Sequence, residues 1–68
     1  MNHFFKVTPT VMGNQQVLDS LADTLKSIDG VISVQKDGGS AHVTANLDKK
    51  AFDKAITAAG LKVVFEEK

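Results

Sequence analysis

The chain has 68 residues, with eight basic and eight acidic side chains, zero formal net charge and 43% hydrophobic content. One domain over residues 1–68 is expected, with a thin core, because a chain this short buries only about 60% of the surface its unfolded form exposes. The absence of cysteine excludes disulfides and thiolate metal clusters, and balanced charge without a basic stripe argues against nucleic acid or an anionic membrane as partner.

Residues 4–11 read as a first strand, with Phe5, Val7 and Pro9 on one face and Phe4, Lys6, Thr8 and Thr10 on the other. Proline removes a ladder donor, so pairing is expected to end or bulge near Pro9. Asn14 suits the N-cap of a helix with an apolar stripe of Val17, Leu18, Leu21, Ala22, Leu25 and Ile28. Asp19 and Lys26 suit the two ends of that helix's dipole, and Gly30 is expected to stop it. Residues 31–36 form a second strand, and Asp37, Gly38, Gly39 and Ser40 a hairpin turn. A third strand covers residues 41–47, with Ala41, Val43, Ala45 and Leu47 on one face and His42 and Thr44 on the other. Asp48 can cap a second helix carrying Phe52, Ala55, Ile56 and Ala59, which Gly60 ends. Residues 61–66 form the last strand, with Leu61, Val63 and Phe65 inward.

The order is βαββαβ, an α+β arrangement. Two helical stripes and one apolar sheet face bury each other. The expected solution is ferredoxin-like: a four-stranded antiparallel sheet in the order 4-1-3-2 with both helices on one face. Leu21, Leu25, Val34, Val43, Ile56 and Val63 should share one core. The apolar runs are too short to span a bilayer, and the N-terminus lacks a signal-peptide pattern. Both point to the cytoplasm and to no membrane partner.

Three stretches carry a family resemblance. Met12 stands in the loop between the first strand and helix. Ile28-Asp29-Gly30-Val31 with Val34 resembles a hydrophobic-x-G-V-x-x-V helix exit, and Ala58-Ala59-Gly60-Leu61 resembles an A-x-x-x-G-Y exit. Together they resemble the heavy-metal-associated domains of copper chaperones and metal-pumping ATPases, over nearly the whole chain. The family's loop reads M-x-C-x-x-C, and its two cysteines hold the metal. Here Asn14 and Val17 occupy those positions, Val11 replaces the glycine before the Met, and Leu61 replaces the aromatic beside the loop. The resemblance implies a non-enzymatic domain in a copper-type metal-trafficking or metal-binding system. Its partner would be a metal-transport protein or another copy of the chain. Without thiolates, the domain would be degenerate or use other ligands. The alternative is an interaction or regulatory module that keeps the fold without binding metal.

The equivalent of the metal loop is Met12, Gly13, Asn14, Gln15, Gln16 and Val17. Met12 offers a thioether, which favours soft metals, and the amide oxygens of Asn14, Gln15 and Gln16 favour hard ones, so the set does not cohere. A cap and turn that has lost its ligands is the simpler reading. His3 offers a different site. A free amino terminus with histidine third can wrap Cu(II) or Ni(II) in four nitrogens: the amine, two deprotonated amides and the imidazole. His42 is expected on the open sheet face, roughly six or seven residues of strand, or about 20 Å, from His3, too far to share an ion. Phe4, His42 and Val64 are the candidate contact face. Base stacking there finds only one aromatic, Phe4. No nucleophile-base set, glycine-rich phosphate loop or buried carboxylate pair is legible, so an enzyme is not expected.

Overall fold

The computed structural model describes residues 2–10 and 15–68, Gln15 by its backbone alone. The elements are β1 (His3–Pro9), α1 (Gln15–Lys26), β2 (Val31–Asp37), β3 (Ser40–Ala45), α2 (Lys49–Ala58) and β4 (Val63–Glu67). The strands form one antiparallel sheet in the order β2-β3-β1-β4, which is the expected order read from the other edge. Both helices lie on one face. Leu18, Leu21 and Leu25 of α1 and Phe52 and Ile56 of α2 share a core with Phe5, Val7, Ala41, Val43 and Ala45 of the sheet. Phe5 and Phe52 stack with centroids 4.2 Å apart, and Phe65 meets both edge-on. Among the described residues, no helix is long and apolar enough to cross a membrane.

The structure shifts several boundaries. β1 starts one residue earlier than expected and ends at Pro9, although Thr10 still donates to the Lys62 carbonyl at 3.2 Å. The position of Pro9 has a simple cause. Phe4 and Thr10 bond to Lys68 and Lys62, the residues flanking β4, so by alternation the odd residues of β1 direct their backbone groups at β3. The β1–β3 ladder ends at Val7↔Ala41, so the missing proline donor falls just beyond it. The β1–β4 ladder still reaches Pro9↔Val63.

α1 ends at Lys26, four residues before Gly30, contrary to expectation. Ser27 and Ile28 donate to Thr24 and Leu25, tightening the last turn, and a separate turn closes with Val31 N–H on the Ile28 carbonyl at 3.1 Å. Gly30 belongs to that turn, at φ +98°. α2 behaves as expected at both ends. The Asp48 carboxylate accepts from Ala51 N–H at 2.8 Å. At its exit, Gly60 N–H bonds to Thr57 and Leu61 N–H to Ile56, the Schellman pattern. Ala59 is exposed and is not part of the stripe.

β3 begins at Ser40 and ends at Ala45, two residues short of the expected end. Ser40 is buried and shares a hydroxyl hydrogen bond with Thr8 at 3.0 Å. β4 runs two residues later than expected at its start. Val34 and Val63 are half-buried and pack against the core, whereas Leu21, Leu25, Val43 and Ile56 lie within it. The expected N-cap Asn14 lies outside the described residues.

Candidate functional site

Of the candidate loop, the structure describes the part that enters α1, at the end of the sheet near Pro9. Of its six residues, Met12, Gly13 and Asn14 lie outside the described residues, and Gln15 opens α1. Gln16 is exposed in the first turn. Val17 is half-buried and lines a largely apolar groove of about 230 Å³ with Pro9, Leu21, Leu61 and Val63, bordered by Ser20, Thr24 and Lys62. The helix stripe turns Val17 and Leu21 toward the groove, and the turn at Gly60 brings Leu61 in from the other side. At position 17, where the family that the sequence resembles carries its second cysteine, the chain presents a branched apolar side chain at the edge of this groove.

His3 is the first residue of β1, paired with Ala45. Its Nδ1 lies 2.6 Å from Oε2 of Glu67, a contact with no sequence signal because 64 residues separate the two. By the same alternation that places Pro9, His3 directs its backbone N–H at β3. Wrapping Cu(II) at the terminus would deprotonate that amide and pull the imidazole from Glu67. The first strand and the metal thus compete for the same atoms.

His42 sits on the open sheet face, opposite Lys6 and Gln35. Its Nε2 is 3.3 Å from Oδ2 of Asp37, and its Nδ1 contacts the Lys68 ammonium. Both ring nitrogens face charged groups, and a metal would have to displace Lys68. The expected distance to His3 was too long. Lys6 is three residues from His3 in the register, about 10 Å of strand. What keeps the histidines apart is parity: His3 shares the helix-side face with Phe5, whereas His42 points to the open face. Among the described residues, no group of three or more His, Cys, Asp or Glu could hold a metal ion.

Phe4 and Val64 are exposed, at 50% and 59%, and share the open face with His42. They do not form one apolar patch. Val64 pairs with Thr8, four residues along β1 from Phe4, and the opposed pair Lys6↔Glu66 lies between them. Ile32, 57% exposed at the β2 irregularity, is a further apolar surface residue that strand alternation did not single out. Compared with protein-family models, with curated proteins and with solved structures, the chain matches none.

Proposed function

We propose that the chain is a non-enzymatic module of the heavy-metal-associated type, working in a cytoplasmic metal-ion trafficking system. It meets its partner through the apolar rim at its loop end and does not hold copper through thiolates. The observation that carries this reading is Val17, which occupies a cysteine position and lines the groove with Pro9, Leu21 and Leu61. A soft metal gains no anion there, while an apolar rim beside a loop suits contact with a metal-transport protein or another copy of the chain. A second reading, a regulatory module that uses the fold without any metal, draws on the same groove.

Competition against a Cu(I) chelator tests the proposal. The unmodified chain should bind Cu(I) several orders of magnitude more weakly than the Asn14→Cys/Val17→Cys double variant. Position 17 lies in the first turn of α1, and a helix N-terminus lowers a thiol's pKa. Tight Cu(I) binding by the unmodified chain would overturn the proposal. NMR titration with other metals separates the two readings: shifts confined to the loop end favour a metal-linked module, and unchanged spectra favour the metal-free one.

A further inference from the structure

The two edges of the sheet differ. β2 carries an irregularity between Val31 and Ser33, the kind of feature that twists an edge away from further pairing. β4 pairs with β1 in continuous register from Phe5↔Glu67 to Pro9↔Val63, and among the described residues its other side meets no strand. Two bonds give the direction of its backbone: Thr10 N–H to the Lys62 carbonyl and Lys68 N–H to the Phe4 carbonyl. Antiparallel strands alternate, so Lys62, Val64, Glu66 and Lys68 turn their backbone groups to β1. Val63, Phe65 and Glu67 turn theirs to the open edge.

We propose that this edge is the contact of a homodimer. β4 pairs antiparallel with β4 of a second copy, about a twofold axis at Val64. In that register Val63 stands opposite Phe65 of the second copy, so outward N–H and C=O groups face each other and close ladder hydrogen bonds. Val64 meets its own copy across the axis, covering a side chain that is 59% exposed in the single chain. Lys62 stands opposite Glu66 at both ends, on the open face, and opposite charges directly across a ladder are stabilising.

Neighbouring registers lack this match. An axis at Phe65 sets Lys62 against Lys68 and Val64 against Glu66. An axis at Val63 runs the pairing into the turn at Gly60. A one-residue slip puts paired side chains on opposite faces. Backbone direction, apolar pairing and charge therefore agree on one register, and two four-stranded sheets become one continuous sheet. Lys62 and Val63 also line the loop-end groove, so this contact borders that groove, but the pairing itself holds whether or not the chain meets a metal.

Sedimentation across a concentration series tests it. The chain should show a concentration-dependent dimer. Lys62→Glu alone and Glu66→Lys alone should each raise the dimer dissociation constant about tenfold or more, since each sets like charges across the ladder twice. Mixing the two variants should restore the dimer, because opposite charges then face each other at both ends, an outcome that misfolded variants would not produce. Val64→Cys adds the chain's sole cysteine. It should cross-link to its own copy on mild oxidation, since directly opposed non-hydrogen-bonded residues lie about 4.5 Å apart, within disulfide range. A monomer up to millimolar concentration would overturn the proposal. So would a dimer that gains nothing from mixing the charge variants, or one that leaves Val64→Cys uncross-linked.

Discussion

Gly30 sits at φ +98°, and a Cβ there would lie 2.9 Å from Cγ and Cδ2 of Leu47. Two costs therefore coincide: a backbone conformation L-residues avoid and a steric clash with a side chain packed against the core. Gly60 carries only the first, since at φ +74° a Cβ would meet nothing within 4 Å. Gly60→Ala should cost about 1 kcal/mol. Gly30→Ala should cost more, on the order of 2–3 kcal/mol. Urea unfolding of the two variants checks the ranking, and equal losses would mean that Leu47 moves aside freely. The sequence marks both glycines as turn residues. It cannot rank them, because Leu47 reaches Gly30 only through the β3 exit, where Asn46 N–H bonds the Gly30 carbonyl at 2.7 Å. The contact between His3 and Glu67 was hidden for a similar reason: it exists only because β1 and β4 are neighbours.

Among the elements, α2 was the most legible. Asp48 supplies a side-chain acceptor to Ala51 N–H, and Gly60 ends the helix, both as local chemistry requires. Asp48→Ala should lower stability by about 1 kcal/mol, read as a fall in thermal midpoint with the helical signal of the folded state nearly unchanged. An unaltered midpoint would show that the cap contributes nothing beyond what solvent supplies. The exit of α1 was less legible. Its apolar stripe continues to Ile28, which packs against the core, yet the regular helix ends at Lys26. Burial of Ile28 and the turn into β2 overrode the periodicity. Asp19 also has a tertiary role, pairing with Lys36 of β2 across half-exposed side chains. Such surface pairs contribute little to stability.

At the level of the whole molecule, a single core joins both helices to one sheet face, and Leu25 is fully buried within it. Leu25→Ala should cost about 2–5 kcal/mol, lost transfer energy plus a residual cavity. A domain of this length holds about 3–10 kcal/mol in total, so the variant should be marginal at room temperature. Denaturant unfolding that leaves the midpoint in place would contradict the packing of α1 described above. The neighbouring aromatic set, Phe5, Phe52 and Phe65, ties β1, α2 and β4 together in the same core.

The sequence alone determined the order of elements, the inward faces of β1 and β3, both ends of α2 and the absence of thiolates from the chain. These follow from alternation, helical spacing, caps and composition, all local properties of the chain. The expected strand order already put β2 and β4 at the edges; only the tertiary structure decided which of β4's backbone groups face outward. It also decided that Phe4 and Val64 are held apart by Lys6 and Glu66, and that His42 pairs with Lys6, only three residues along β1 from His3. Each of those facts depends on register between strands distant in sequence. Register is set by how the apolar faces of all six elements fit over one core, and no short stretch of residues records it.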